Sequence, residues 1–338
     1  AEKPKTSQGD SSTLRNFYAQ KFLVRAQAAK APIGNITDIW PDDPLSLRMQ
    51  SRYISENPFE VGNKHLLDQS SSGSTYDNEH AVYHPILRDF AKRFGFYDIF
   101  LIDASTGYIV YSVEKEIDFA TSLLDGPYRG SNLAEVFRLT RAANNANYSR
   151  LVDFQAYLPS YGASASFLAS PIFSQDEAIG VLVFQVPVER LDNIMTSKRS
   201  WSSVGLGETG ETYIVGNDYY LRTQPRFLIE DRDQFLSDIL ATGVEPETVD
   251  RIDSLDSAIG LLKIETTGTQ AALSGQAGTQ IFEDYRGQQV FSAYRPLEVE
   301  DVDWAIMSEK DAAEAFAEAD RLRNEVIVVI CFMALAAF

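Results

Sequence analysis

Aromatic and charged side chains occur together along two stretches of the chain, Asp118 to Arg129 and Asp153 to Phe167. Small-molecule pockets are mostly apolar and aromatic with a few placed polar groups, and both stretches have that mixture. Arg129 is suited to a ligand carboxylate and Asp153 to a ligand amine. Eight side chains are candidate pocket residues: Asp118, Tyr128, Arg129, Asp153, Tyr157, Tyr161, Ser164 and Ser166. The alternative interpretation is that they fill an ordinary core, with the tyrosine hydroxyls hydrogen-bonded.

A glycine motif, GLGETG at residues 205–210, matches the spacing G-x-G-x-x-G. A dinucleotide-binding loop needs a helix after it, because the phosphate meets the helix N-terminus. Here the strand-like segment ETYIVGN follows. We therefore expect a turn that enters a sheet, and no bound cofactor.

Two other groups have the residue types of metal ligands. Glu79, His80 and His84 lie close together in sequence, with His65 as a further imidazole, but Pro85 constrains the backbone beside His84. The four carboxylates of EVEDVD, at 298–303, lack the glycine turn of a calcium loop. We interpret the histidines as structural residues and the acidic segment as an exposed hairpin, so no metal site is predicted.

Composition disfavours several functional classes. The 338-residue chain has a net charge of −18, which opposes binding to nucleic-acid phosphates or to an anionic membrane surface. Its one cysteine, Cys331, allows neither an internal disulfide nor a Cys-based zinc site. No G-x-S-x-G motif is present, and the three histidines all lie in the first 84 residues. We predict no enzymatic activity in this chain.

The apolar pattern divides the chain into a helical start and two α+β modules. Residues 1–12 are polar and predicted to be disordered, and helical spacing of apolar residues predicts a helical region over 13–95. From there YDIFLIDASTGYIVYSV predicts a strand, a turn and a strand, followed by a short helix and three more strands up to residue 188. A linker helix is expected at 189–206.

The order then repeats over residues 207–310. YDIFLIDASTGYIVYS corresponds to ETYIVGNDYYLRT, and FLASPIFSQDEAIGVLVFQV corresponds to FSAYRPLEVEDVDWAIMSEKD. Two copies are too few for a solenoid, so the pattern indicates two tandem modules. The predicted fold class is α+β, with a mostly antiparallel sheet of about five strands in each module.

This order of elements resembles the double Cache sensor domain, an extracytoplasmic ligand-binding region of bacterial chemoreceptors, sensor kinases and nucleotide cyclases. The resemblance covers residues 13–330 and is carried by FYDIFLIDASTGYIVYSV, SPIFSQDEAIGVLVFQV, GLGETGETYIVGNDYYLRT and WAIMSEKDAAEAF. It implies a long N-terminal helix, a membrane-distal PAS-like module at 96–188 and a membrane-proximal module at 207–310.

In the resembled family the distal sheet faces a pocket that is capped by the segment between its second and third strands. The resemblance therefore implies that the eight candidates, together with Tyr111 and Gln185, lie near a ligand. The distal module lacks the Arg-x-Trp element of the amino-acid-binding subgroup, so an amino acid is not implied. The second module offers further candidates: Tyr213, Tyr219, Arg222 and Tyr285.

The segment 326–338 contains 13 apolar residues and no charge, whereas a membrane helix needs roughly 20 residues. It is either a core helix or the start of a membrane-spanning helix, and the resemblance favours the second, with 311–325 as a juxtamembrane helix. The chain is then predicted to be the periplasmic, small-molecule-binding sensory domain of a bacterial inner-membrane receptor that acts as a homodimer. A soluble solute-binding protein and a structural dimerisation module are the alternatives.

Overall fold

A computed structural model of the chain describes residues 8–143 and 145–336. The fold is α+β, as predicted. The α-helices are α1 (Gln8–Phe17), α2 (Leu23–Ala28), α3 (Pro44–Gln50), α4 (Thr75–Phe94), α5 (Asn132–Arg141), α6 (Val188–Met195), α7 (Arg226–Glu230), α8 (Arg232–Ala241), α9 (Pro246–Leu255), α10 (Thr267–Leu273), α11 (Ala312–Ala315) and α12 (Ala317–Ala336). The strands are β1 (Ile99–Asp103), β2 (Ile109–Ser112), β3 (Arg150–Ala156), β4 (Ser164–Ser174), β5 (Glu177–Gln185), β6 (Glu211–Gly216), β7 (Gly278–Glu283), β8 (Gln289–Val299) and β9 (Val302–Asp311).

The chain divides into two units. The first unit holds residues 1–188 with 300–302, and the second holds 189–299 with 303–338. Each unit contains one antiparallel sheet, with strand order β2-β1-β5-β4-β3 in the first and β6-β9-β8-β7 in the second.

The sheet of the first unit buries both of its faces, because successive side chains of a strand point to opposite sides. Phe100 and Ile102 of β1 join one core cluster, whereas Ile99 and Leu101 join another. The same alternation separates the side chains of β5. The first cluster packs against the N-terminal helices and α5, and the second packs against α4.

The N-terminal helices cover the first of these faces. Helix α1 continues through a π-helical turn, Tyr18–Phe22, into α2. Leu14, Tyr18 and Phe22 are fully buried at helical spacing, which anchors this segment to the sheet. The helix begins at Gln8, inside the segment that we expected to be disordered, and residues 1–7 lie outside the described part of the chain.

Helix α4 covers the opposite face and has clear start and stop signals. Ser74 accepts a hydrogen bond from the Asp77 backbone, and Asp77 accepts one from the Ser74 backbone, which forms a capping box. Gly95 ends the helix at φ 76°, a left-handed conformation that favours glycine. This fixes the direction in which the chain enters β1.

The sheet of the second unit has four strands. The strand expected after the turn at 216–218 forms only two isolated bridges, from Leu221 to Val215 and from Tyr220 to Lys263. Tyr219 has φ 68°, so the backbone turns there instead of continuing as a strand. Helices α7 to α10 and the sheet enclose a separate core.

Helices α11 and α12 follow β9 directly. Glu314 on α11 accepts hydrogen bonds from the backbone amides of Glu208 (3.0 Å) and Thr209 (2.8 Å), which ties the start of this segment to the entry of β6. Among residues 8–143 and 145–336, no helix is both long enough and apolar enough to cross a membrane.

Candidate ligand-binding site

A buried carboxyl group, Asp118, lies at the centre of a polar cluster on the N-terminal-helix face of the first sheet. The Tyr157 hydroxyl donates a hydrogen bond to Asp118 Oδ2, and both side chains are buried. Asp118 Oδ1 is buried without a hydrogen-bond partner among the described residues. Burial raises the pKa of Asp118 to about 6 although the Tyr157 hydroxyl opposes the shift. The backbone amides of Asp118 and Phe119 also lower the pKa of this carboxyl group, but neither makes a well-formed hydrogen bond to Oδ1.

Two residues from the N-terminal helical region hold the backbone on either side of Asp118. The Gln50 amide donates to the carbonyl oxygens of Ile117 and Phe119, both at 2.8 Å. The Tyr18 hydroxyl donates to Gln50 Oε1 at 2.7 Å. Tyr18 begins the π-helical turn, a distortion that is common at functional sites. Asp118 is thus fixed in place by residues about 70 and 100 positions earlier in the chain.

A cavity of about 220 Å³ lies next to this cluster: its wall includes Ile117, whose carbonyl oxygen accepts from Gln50, whereas Asp118 is buried behind that wall and does not line the cavity. The cavity is small compared with the roughly 300–1,000 Å³ of drug-sized ligand sites, which suits a small metabolite. Its lining carries charges of both signs. The lining residues are Phe17, Phe22, Arg25, Ile54, Val61, Gly62, Lys64, Tyr97, Glu114, Lys115, Glu116, Ile117, Pro159 and Tyr161.

Glu116 is an acidic residue of the cavity wall that accepts two side-chain hydrogen bonds. It accepts hydrogen bonds from the hydroxyls of Tyr97 (2.9 Å) and Ser160 (3.0 Å). Burial raises the pKa of Glu116 well above its usual value, and the negative charge of Asp118 adds to that effect. Burial therefore raises the pKa of both neighbouring acids, Glu116 and Asp118.

Lys115 is the buried base of the same wall. Its ammonium group donates to the Ser112 carbonyl and lies 4.5 Å from the ring centre of Tyr111 and 5.2 Å from that of Phe119. Burial lowers its pKa to about 7. The negative charges of Asp98 and Glu114 favour the charged form of Lys115 but do not outweigh burial, so an anionic ligand group would favour that form further.

The predicted residues do not all meet at this cavity. Tyr157 and Tyr128 are buried beside Asp118, and the Tyr128 hydroxyl lies close to the hydroxyl of Tyr18. Tyr161 lines the cavity and stacks on Phe22 with ring centres 5.2 Å apart. Tyr128, Tyr157 and Tyr161 were among the candidates from the sequence, whereas Tyr18, Gln50, Lys115 and Glu116 were not.

Tyr111 lies on the other face of the sheet, against α4. A β-bulge between the pairs Leu101↔Tyr111 and Ile102↔Ile109 reverses the alternation along β2. The Tyr111 hydroxyl bonds to His84 Nδ1 at 2.7 Å. Tyr111 therefore contributes to the α4 core and reaches the cavity only through its ring contact with Lys115.

Arg129 lines a different opening, a cleft of about 670 Å³ at the outer edge of the unit. One of its guanidinium nitrogens donates to the Gly126 carbonyl at 3.2 Å. The cleft is acidic, with four aspartates and one arginine among its lining residues. The lining residues are Thr37, Asp38, Trp40, Pro41, Asp42, Asp43, Tyr108, Thr121, Ser122, Asp125, Gly126, Pro127, Arg129 and Gly130.

The remaining candidates lie within the sheet. The Ser166 hydroxyl donates to the Val152 carbonyl at 2.7 Å, and Gln185 is buried with its Oε1 unpaired among the described residues. Asp153 is half-buried on β3, where it accepts from the Phe154 amide, and Ser164 is half-buried on β4.

The second unit contains a buried acidic cluster that the sequence did not reveal. Oxygen atoms of Glu211, Asp284 and Glu309 all lie within 4.8 Å of one another. The Tyr285 hydroxyl donates to Glu211 at 2.7 Å, and the Tyr213 hydroxyl donates to Glu309 at 2.9 Å. These three carboxylates are far apart in sequence, and no local pattern could have joined them.

The other two candidates of the second unit have structural contacts. The guanidinium of Arg222 is buried, donates to Asp218 and lies close to Gly216, where a Cβ atom would clash with it. Tyr219 has the Lys263 ammonium 5.6 Å from its ring centre.

The histidines of α4 are engaged in hydrogen bonds. His84 Nε2 lies 2.7 Å from the His65 carbonyl, so it carries the proton, and Nδ1 accepts from Tyr111. His80 Nδ1 lies 2.7 Å from the Asp68 carbonyl, and the two imidazoles stack with centres 4.3 Å apart. Burial lowers the pKa of His80 to about 4 and of His84 to about 2, so both rings are neutral at pH 7.

Two tandem α+β modules with a small polar cavity beside one sheet are the architecture of a ligand-binding module. The chain belongs to the Cache domain family, whose sequence model matches residues 55–319. Cache domains of this type are sensory ligand-binding modules and not catalysts. No curated protein matches the chain in sequence.

The chain is similar in structure to several solved receptor domains. The ligand-binding domain of the Pseudomonas fluorescens chemoreceptor CtaA, in complex with L-serine, is 12% identical with a TM-score of 0.40, and the match covers 90% of this chain and 93% of that one. The ligand-binding domain of the Pseudomonas aeruginosa PAO1 amino acid chemoreceptor PctC, in complex with GABA, is 14% identical with a TM-score of 0.40, covering 88% and 99%. The periplasmic sensory domain of the Campylobacter jejuni chemoreceptor Tlp1 is 15% identical with a TM-score of 0.40, covering 78% and 89%.

Proposed function

We propose that the chain is the sensory domain of a membrane receptor and binds a small polar molecule in the 220 Å³ cavity beside Asp118. The observation that carries this proposal is the unused, buried Oδ1 of Asp118. A buried acceptor without a partner costs free energy, and a ligand would recover that cost if the cavity wall at Ile117 moves so that the ligand can donate a hydrogen bond to Oδ1. The ligand therefore has at least one N–H or O–H group.

The other end of the ligand would meet the basic side of the cavity. Arg25 and Lys115 line it, and Lys115 is buried with its pKa lowered. The Lys64 ammonium is already bound to the carbonyls of Ile54 (2.7 Å) and Phe59 (3.2 Å), so it is the less available base. A molecule with a donor at one end and a carboxylate or other acceptor at the other fits this arrangement.

Signalling would follow from a ligand that binds two conformations of the chain with different affinity, since only that difference shifts the equilibrium. We propose residues 96–188 as the membrane-distal module, 189–206 as a linker helix and 207–310 as the membrane-proximal module. The change would pass along the chain to the juxtamembrane helix at 311–325. The Glu314 contacts with Glu208 and Thr209 support a firm attachment of that helix to the second unit.

Membrane attachment is proposed from the surface of α12. Its apolar side chains are about half exposed on every side, among them Val326, Ile330 and Phe332. The first half of α12 is charged, but the segment from Val326 onward is apolar all round, which is unfavourable in water and favourable in lipid. We propose that this segment enters a bacterial inner membrane, that the sensory part lies in the periplasm and that the receptor is a homodimer.

A thermal-shift screen of the 338-residue chain in mild detergent tests the proposal, with amino acids, organic acids, amines, purines and sugars as probes. A ligand that binds only the native state raises the melting temperature in a saturable way. We expect one chemical class to do so, and the shift to be reduced in Tyr157→Phe, which removes the donor to Asp118.

Two results would count against this site. If Tyr157→Phe leaves the shift intact, the ligand binds away from Asp118. If the wild-type chain folds cooperatively and no probe shifts its melting temperature, the structural dimerisation module becomes the better account. A saturable ligand shift in a chain that stays monomeric in detergent would favour a soluble solute-binding protein.

A further inference from the structure

Three consecutive residues that follow α6, at 197–199, have left-handed backbone conformations. The φ angles are 49° at Ser197, 55° at Lys198 and 63° at Arg199. L-residues other than glycine adopt this conformation as single residues, and each one costs free energy. Elsewhere in the described part of the chain, non-glycine residues with positive φ occur one at a time. The left-handed turn at 197–199 is therefore a strained segment.

The hydrogen bonds at the end of α6 form a helix stop that normally uses glycine. The Ser197 amide donates to the Ile194 carbonyl at 3.2 Å, and the Lys198 amide donates to the Asn193 carbonyl at 2.8 Å. These two bonds define the Schellman motif, in which a left-handed residue, usually glycine, follows the helix. Here serine occupies that position, and the next two residues continue the left-handed backbone. The hydrogen bonds stabilise the turn, whereas its residue types oppose it.

The residue types around the turn favour a different conformation. The segment MTSKRS, at 195–200, contains no glycine, proline, asparagine or aspartate, and lysine and arginine have high helix propensities. The sequence therefore predicts a helix that continues through this segment, whereas the structure ends α6 at Met195. A conflict between local preference and the observed conformation is typical of functional or strained sites. A right-handed continuation of α6 is the conformation that would relieve the strain.

Contacts on both sides of the turn hold it in the strained form, and all of them lie within the second unit. Before the turn, Asp192 Oδ1 accepts a hydrogen bond from the Gln224 amide at 2.7 Å. After the turn, Trp201 is buried, with the Arg226 guanidinium 4.8 Å from its ring centre. A right-handed continuation would rotate α6 relative to Trp201, so these two contacts could not both persist. The strain is thus balanced by two contacts.

We infer that residues 197–199 are a switch segment that exchanges between the left-handed turn and a right-handed continuation of α6. Helix α6 begins at Val188, where the chain passes from the first unit to the second. A movement of the chain at that point would act directly on the balance between strain and contacts. The inference rests on the signalling part of the proposed function, and it assigns to a named segment the two conformations that a ligand must distinguish.

Glycine substitution tests the strain. Ser197→Gly should raise the melting temperature of the 338-residue chain in mild detergent by about 2–4 °C, because glycine adopts positive φ without strain. Ser237→Gly is the matched control, at an exposed position of α8 in the same unit. It should lower the melting temperature, since glycine disfavours a right-handed helix. A Ser197→Gly chain that melts at or below the wild-type temperature would overturn the inference.

The exchange itself is measured by double electron–electron resonance between two spin labels. The labels are attached at Glu189→Cys on α6 and Asp233→Cys on α8, both exposed, in a chain that also carries Cys331→Ser. We expect two distance populations. Ser197→Gly should shift their ratio roughly tenfold towards one population. Lys198→Val should shift it towards the other, because a β-branched residue opposes positive φ.

One and the same distance distribution in all three labelled chains would overturn the inference. If Lys198→Val does not fold, the other two chains decide. A distribution that narrows to one population in Ser197→Gly would support the switch, and an unchanged distribution would overturn it. Because neither experiment contains a ligand, its outcome does not bear on the binding site beside Asp118.

Discussion

Glu211 and Glu309 lie directly opposite each other on the paired strands β6 and β9, and both carboxyl groups are buried. Burial raises the pKa of Glu211 to about 7 and that of Glu309 to about 8, and each negative charge disfavours the other. The pair therefore keeps at least one proton at neutral pH. Glu309 lies two residues before Asp311, the last residue of β9, and α11 follows directly.

The stability of the second unit should fall as pH rises. Above about pH 4.3 the unfolded state has released the protons of Glu211 and Glu309, whereas the folded state still holds them. The free energy of unfolding therefore decreases as pH rises from about 4.3 to 8. Glu309→Gln removes one of these groups and should make the free energy of unfolding less dependent on pH. Measured relative to wild type, the free energy of unfolding of the variant should be at least about 1 kcal/mol more favourable to the folded state at pH 8 than at pH 5.

Urea unfolding at pH 5, 6.5 and 8 measures this difference between wild type and variant. Buried acids outside the cluster of Glu211, Asp284 and Glu309 titrate equally in both chains and cancel. Glu283→Gln, an exposed position on β7, is the matched control and should follow the wild-type curve. Parallel curves for wild type and Glu309→Gln would show that the pair is ionised in the native state.

Asp77 should show the opposite dependence. It accepts hydrogen bonds from the hydroxyls of Tyr53 and Ser70 and from the Ser74 amide, all at 2.7 Å. Burial alone would raise the pKa of Asp77, but these bonds outweigh it and hold the pKa well below its usual range. Its stabilising contribution is present above about pH 4 and is lost as pH falls towards the lowered value.

Asp77→Asn therefore should lower the free energy of unfolding at pH 7 by about 2 kcal/mol, with a smaller loss near pH 3. Chemical denaturation at the two pH values checks this, with Asp89→Asn on the exposed side of α4 as the control. An equal loss at both pH values would mean that the charge of Asp77 does not matter.

Tyr18→Phe tests how strongly the N-terminal helices hold the loop around Asp118. The substitution removes the hydroxyl that donates to Gln50 and leaves the ring in the core. We expect a loss of about 1 kcal/mol in the free energy of unfolding, because a buried acceptor loses its donor. Tyr83→Phe, at an exposed position of α4, should change it by less than about 0.5 kcal/mol.

The sequence predicted the fold class because strand alternation and helical spacing are local signals. Asp118, Tyr157 and Tyr161 became candidates because aromatic and polar residues occur together in their segments, and their role in ligand binding stays a prediction. It did not predict that Tyr111 faces α4, since a one-residue bulge in β2 reverses which face a side chain occupies. Nor could it place Gln50 beside Ile117 or Glu211 beside Glu309, because such contacts join distant segments and depend on strand register.

The most direct test of the ligand site is calorimetric titration of the compound with the largest thermal shift into wild type, Asp118→Asn and Asp125→Asn. Asparagine would present an N–H group where the ligand needs an acceptor, so we predict that Asp118→Asn weakens binding tenfold to about a hundredfold. Asp125 is exposed in the separate cleft, and its variant should bind as wild type does. Equal affinity of wild type and Asp118→Asn, with the Asp125 variant weakened instead, would place the ligand in the outer cleft and contradict the account.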